Sequence, residues 1–136
     1  MRCRLYNPND LGGYWVDWPT IEPLWLRNDF HPLDPASLKR AYHVLWFADI
    51  DAKQSHFKIG AITYNDHNQS IMFYNGRNRT LLMSTLMHRV PLAMDDEALS
   101  EPAIRNGVLE PIKATDVLTL PDLPILTFAE LGGVKS

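Results

Sequence analysis

Apolar residues cluster along this chain in short runs whose spacing changes from segment to segment, and the changes mark out a mixed set of strands and helices. Ile71, Met72, Phe73 and Tyr74 form an apolar, aromatic run bounded by polar residues, which predicts a mostly buried strand. Lys58 to Tyr64 precedes it across the polar stretch Asn65-Asp66-His67-Asn68, so the two segments read as a β-hairpin with a polar turn. Beyond Gly76, the residues Leu81, Leu82, Met83, Leu86 and Met87 leave little polar surface between Asn78 and His88. That pattern predicts a helix packed on several sides. It should stop near Arg89, because Pro91 lacks the N–H to continue it and biases Val90 towards extended geometry. Val90 to Met94 then reads as another strand.

Upstream, Asp34 followed by Pro35 is a helix start, with a capping carboxylate and a proline where no N–H is needed. Leu38, Ala41, Tyr42, Leu45 and Trp46 follow at helical spacing, with Lys39, Arg40 and His43 on the other side, predicting a helix through this stretch. Residues 5 to 30 hold Leu11-Gly12-Gly13, three tryptophans and three prolines, a composition of short extended pieces joined by turns rather than a long helix. A short helix is expected from Ser100 to Arg105, ending at Asn106-Gly107. The tail, with Pro111, Pro121 and Pro124 between apolar pairs, should be extended and either packed over the domain or available to a partner.

The junction Tyr74-Asn75-Gly76-Arg77-Asn78-Arg79-Thr80 carries the most specific chemistry. Glycine lets the backbone turn sharply, and the first N–H groups of the following helix then point outward with the helix dipole, where phosphate or carboxylate fits. Arg77 and Arg79 add charge-assisted hydrogen bonds to the same oxygens. The plainer alternative is an ordinary strand-to-helix turn with solvated arginines. Arg89 is a further candidate for the basic pocket, with Lys39 and Arg40 joining only if their helix packs beside this one. For those two, a solvated helix face is the expected role.

Strand, Gly-Arg-Asn-Arg box, buried helix and short strand, with a helix ahead of the box, resemble the ParB/sulfiredoxin superfamily over roughly residues 20 to 97. The resemblance implies an α+β, compact single-domain fold over residues 1 to 136, with a small mixed sheet and packed helices. Sulfiredoxins carry a nucleophilic cysteine directly after the box glycine, where this chain has Arg77; its only cysteine is Cys3, so thiol chemistry is not expected. Chromosome-partitioning members follow the box with a DNA-reading and a dimerisation region, for which Ala98 to Ser136 is too short. Among small members, the chain resembles plasmid fertility inhibition factors, including the oncogenic-suppression group.

That resemblance implies a protein that blocks conjugative DNA transfer through a pocket for nucleotide or DNA phosphate, acting on the conjugation coupling ATPase. It allows ATPase or DNase activity, with ATP or another nucleotide and Mg2+ as cofactors. In this account Arg77 and Arg79 hold phosphate and stabilise developing charge, while Gly76, Asn78 and Thr80 complete the cradle and Asn78 orients a water or a base. The alternative is a non-enzymatic interaction module on the same scaffold, its arginines binding an acidic partner or only stabilising the turn. A third reading is single-stranded DNA binding on exposed tryptophans, against the commoner expectation that Trp15, Trp18 and Trp25 cover the core.

Bulk properties narrow the field. A length of 136 residues suits one domain with a real core, and four tryptophans, five tyrosines and five phenylalanines argue against disorder. The formal charge of -3 argues against broad coating of DNA. A single cysteine excludes an internal disulfide, and no run approaches a membrane span or a signal-peptide core, so a cytoplasmic location is expected. The histidines His31, His43, His56, His67 and His88 have no zinc-like spacing. Asp95, Asp96 and Glu97 are suited either to a magnesium ion bridging phosphates or, more commonly, to capping the next helix; Asp49 and Asp51 stand the same way.

Overall fold

A computed structural model describes residues 1–27, 34–51 and 54–131, and in it the chain is a mixed α+β domain. β1 (Arg2–Tyr6) leads through a loop to β2 (Gly12–Asp17), which runs directly into α1 (Trp18–Trp25). Trp18, Ile21, Leu24 and Trp25 recur at helical spacing and are buried, while Pro19 occupies the first turn, where a missing N–H costs nothing. Trp18 packs against Trp25 and Phe73, with ring centroids 6.5 and 6.4 Å away. Trp15 and Trp46 are buried too, so the tryptophans build the core and do not form a platform for bases.

The expected helix from Asp34 onward is a single turn, α2 (Pro35–Leu38). Its cap is as predicted, since Ser37 N–H donates to Asp34 Oδ1 at 2.9 Å. It ends because Arg40 takes a left-handed backbone, φ 52°, and the chain turns into β3 (Tyr42–His43), a 3-10 turn (Val44–Trp46) and β4 (Phe47–Asp51). The apolar spacing that suggested a helix does not define one face: Tyr42 and Trp46 are buried, whereas Leu38 and Leu45 are 71 % and 51 % exposed. Backbone pairing with a distant strand decides the conformation, Tyr42 N–H donating to Pro124 C=O at 2.8 Å beside β11 (Ile125–Leu126).

The strand expected over Lys58–Tyr64 is β6 (Gly60–Asn65), while Lys58 is the last residue of a preceding strand, β5 (Gln54–Lys58). They are separated at Ile59, where the chain leaves one sheet and enters another. In the first sheet, β1 pairs antiparallel with β10 (Val117–Thr119) and parallel with β5, which pairs antiparallel with β4. In the second, the order is β7 (Ser70–Asn75), β6, β8 (Arg89–Met94), β2 and β9 (Val108–Pro111). β6 and β7 form the expected hairpin, and α3 (Arg77–Leu86) carries the chain from β7 to β8, which lies parallel to β6. Leu81, Leu82 and Met83 bury the helix against the sheet.

The helix expected over Ser100–Arg105 is the single turn α5 (Pro102–Arg105), and a separate turn, α4 (Asp96–Ser100), precedes it. Pro102 pushes Glu101 into extended geometry, φ -76° and ψ 119°, which ends one turn and starts the next. The tail is extended and packed, as expected: β10 joins the first sheet, and Leu120 N–H and Met1 C=O are bonded at 2.7 Å. Among the described residues, no helix is long and apolar enough to cross a membrane.

Candidate functional site

The site lies where β7 hands over to α3. Gly76 has φ 75° and ψ 17°, a left-handed conformation that side-chain-bearing residues resist. A Cβ there would also sit 2.7 Å from Arg79 Cζ, so the bare glycine permits both the turn and the arginine folded beneath it. The first bond of the helix ladder runs from Thr80 N–H to Gly76 C=O at 3.0 Å, which leaves the N–H groups of Arg77, Asn78 and Arg79 ahead of it. Thr80 departs from its expected place in the cradle. Its hydroxyl is fully buried and donates to the same Gly76 carbonyl at 2.7 Å, so both of its donors hold the turn together.

Arg79 is folded back into the protein. Nε donates to Lys58 C=O at 2.6 Å, and Nη2 donates to Ile59 C=O at 3.1 Å and Asn75 Oδ1 at 3.2 Å. Those carbonyls flank the point where β5 ends and β6 begins, so the guanidinium satisfies backbone oxygens at the switch between sheets. Burial pulls its pKa down to about 10, and it remains a cation at neutral pH. Among the described residues, neither Arg79 nor Arg77 has a carboxylate within ion-pair distance. Carbonyl dipoles alone offset the buried charge of Arg79, an arrangement that an anion would improve.

Arg77 and Asn78 are the groups left over. Arg77 Nε and Asn78 Oδ1 are both buried and without a hydrogen-bond partner, a cost of about 1–3 kcal/mol for each such group. An oxyanion could pair with the first, and a ligand donor or water with the second, only once the side chains shift to uncover them. Three asparagines extend the network in a way the sequence did not signal: Asn75 Nδ2 donates to Asn9 Oδ1 at 2.7 Å, and Asn9 Nδ2 to Asn7 Oδ1 at 3.2 Å. They tie the β1–β2 loop to the box. An Asn-x-Asn pair next to a glycine-rich turn is too common a pattern to have singled them out.

The other basic candidates separate. Ser37 Oγ donates to Asn78 C=O at 3.1 Å, so α2 packs on α3 and brings Arg40 to it; Lys39 is exposed. Arg40 shares a groove of about 360 Å³ with Glu22, Trp25, Leu81, Leu82 and Thr85, along the side of the helix and not at its first turn. Arg89 is not part of the box. It follows the far end of α3, where it pairs with Glu110 and lies over the Trp15 ring at 4.7 Å.

Asp95 caps α4, accepting Ala98 N–H at 3.0 Å, and its other oxygen accepts Thr63 Oγ1–H at 2.6 Å and Tyr74 O–H at 2.7 Å. Burial acts to raise its pKa, but those bonds outweigh it and hold the carboxyl below its ordinary value. This is the capping role, and among the described residues no group of His, Cys, Asp and Glu is arranged to hold a metal ion. The Asp49 and Asp51 side chains and His31 lie outside the described residues. Cys3 is buried, and desolvation pushes its thiol up to about 11, so it is protonated and unreactive at neutral pH. The assembled groups are donors, of a kind suited to negative charge. Removing a proton needs a base, and the box supplies arginine, asparagine and threonine. Against protein-family models, curated proteins and solved structures, the chain shows no match.

Proposed function

We propose that this protein binds a phosphate-bearing ligand, a nucleotide or DNA, at the Gly76–Arg79 turn. We further propose that it acts as a fertility-inhibition-like factor on a ParB/sulfiredoxin-like scaffold, blocking conjugative DNA transfer at the coupling ATPase. The observation that carries the binding step is the pair of arginines without carboxylate partners at the start of a ten-residue helix, with Arg77 Nε buried and unpaired. The hairpin, left-handed glycine, helix and parallel return strand support the scaffold. Binding is the core of the proposal; ATPase or DNase turnover would require a base or metal brought by the ligand complex.

Calorimetric titration with ATP, CTP and short single-stranded DNA, with and without Mg2+, tests it. Saturable binding in the wild type that disappears in Arg77→Ala supports the proposal, and phosphate release on the same samples would make it an enzyme. Absence of binding to all three removes the phosphate site. Arg79 favours a second reading, a non-enzymatic interaction module, because its donors are already committed to Lys58, Ile59 and Asn75. Under that reading Arg77→Ala impairs inhibition of conjugation in cells although the wild type binds no nucleotide.

A further inference from the structure

Side-chain alternation along its strands gives the first sheet two unlike faces. On one, Cys3, Phe57 and Leu118 are buried in the core. The residues between them face the other way: Arg2, Arg4 and Tyr6 on β1, with Arg4 beside His56 of β5 and Tyr6 beside Lys58. None of these five is buried, and Arg2 and Tyr6 are exposed. Among the described residues, neither Arg2 nor Lys58 has a carboxylate within ion-pair distance. Arg4 is steadied by Nη1, which donates to Ala114 C=O at 3.1 Å. In β4, Asp51 stands opposite Gln54, at the far end of β5 from Lys58. A chain of net charge -3 thus gathers three permanent cations and a histidine on one sheet face.

Cations spread in this way suit a ligand whose negative charge is also spread. Residues two apart on one side of a strand are separated by roughly 7 Å, so Arg2, Arg4 and Lys58 serve several phosphates better than one. The face also adjoins the box, because it ends at Lys58, whose carbonyl accepts Arg79 Nε–H at 2.6 Å. Tyr6, 36 % exposed and beside Lys58, adds a ring on which a base can stack. A single strand presents phosphates and unpaired bases together, whereas a duplex keeps its bases stacked inside. We propose that the outer face of β1 and β5 is a track for a single DNA strand, its phosphates held by Arg2, Arg4 and Lys58 and a base by Tyr6. The choice of DNA rests on the phosphate-ligand reading above, but the track is a contact surface separate from the Gly76–Arg79 turn.

Fluorescence anisotropy of a labelled thymidine oligomer of about 16 nucleotides, titrated with the full chain over a salt series, tests this. The double variant Arg2→Ala/Lys58→Ala keeps the Lys58 carbonyl that Arg79 uses. It should bind the oligomer at least about tenfold more weakly and lower the salt slope by about 2, while circular dichroism shows an unchanged fold. Tyr6→Ala should weaken binding at least about fivefold and leave the salt slope unchanged. A wild type that does not bind the oligomer, or a double variant as tight as wild type with the same slope, overturns the proposal. Equal binding of a duplex of the same length, with no effect of Tyr6→Ala, overturns the single-strand assignment. Titration with ATP keeps the two sites apart. Strand binding that needs Arg2 and Lys58, without ATP binding and indifferent to Arg77→Ala, sinks only the box; ATP binding lost in Arg77→Ala, with no response of the strand to the double variant, sinks only the track.

Discussion

Gly76 and Gly60 meet backbone to backbone: a Cβ on Gly76 would lie 2.6 Å from Gly60 Cα. Two glycines far apart in the chain therefore let the start of α3 settle onto the start of β6. A Cβ on Gly60 would in turn lie 2.7 Å from Thr80 Oγ1, the hydroxyl that fastens the turn. Gly76→Ala should lose at least about 2 kcal/mol in urea unfolding, combining the left-handed penalty of about 1–2 kcal/mol with this contact. A loss below about 0.5 kcal/mol, the range of an ordinary surface change, would mean that the junction relaxes freely.

The two arginines of the box should behave oppositely in stability measurements. Arg79→Ala strands the Lys58 and Ile59 carbonyls and should cost about 1–3 kcal/mol or more. Arg79→Lys should recover little, because one ammonium cannot reproduce a planar fork across two carbonyls. Arg77→Ala should be neutral or stabilising, by up to about 1–3 kcal/mol, since it removes a buried nitrogen that has no partner. Equal destabilisation by the two alanine variants would contradict these assignments.

Asp95 should make the protein acid-sensitive. Its folded pKa lies below the ordinary 3.8, so its contribution is present above that value and is lost as pH falls through the lower folded pKa. Unfolding free energies measured from neutral pH downward should therefore decline less steeply at the acid end in Asp95→Asn, which should also be less stable at neutral pH. Parallel acid limbs in the two proteins would remove Asp95 from the account.

All four tryptophans are buried, so their emission should resist quenching by iodide in the folded state and become accessible only on unfolding. Single-stranded DNA should produce no stacking-type quenching. Strong quenching by either would place at least one indole at the surface.

Cys3 offers a chemical probe of the β1 and β10 pairing, since its Sγ lies 3.7 Å from Leu118 C=O inside the sheet contact. Burial and a thiol pKa near 11 should make its reaction with a thiol reagent at neutral pH follow the opening of the chain. The rate should rise with urea and match that of a free thiol only after unfolding. Immediate reaction in buffer would show that the terminal strands are open.

Local rules were readable where one signal acted alone. The strand at 71–74, the left turn at Gly76, the helix after it and its end before Pro91 follow from apolar runs, glycine freedom and proline's missing N–H. The cap at Asp34 and the break near Pro102 are of the same kind, although the extended bias at Glu101 was not drawn out in advance. The segment 38–46 misled because helical spacing of apolar residues also arises when a strand and a 3-10 turn bury alternate parts of themselves. Its fate depends on β11, more than seventy residues later in the chain, and no local pattern contains that pairing.

By itself, the sequence determined that a glycine and two arginines would open a buried helix after a hairpin, because backbone freedom, hydrophobic spacing and helix-terminal chemistry are all properties of neighbouring residues. Only the tertiary structure decided what those arginines do. Arg79 is committed to Lys58 and Ile59 because the chain changes sheets there and exposes two carbonyls, whereas Arg77, two positions earlier, keeps an unpaired buried nitrogen. The division is physical: a residue's intrinsic preferences travel with the chain, but the partners of a long charged side chain are set by whichever distant backbone groups the fold leaves unsatisfied.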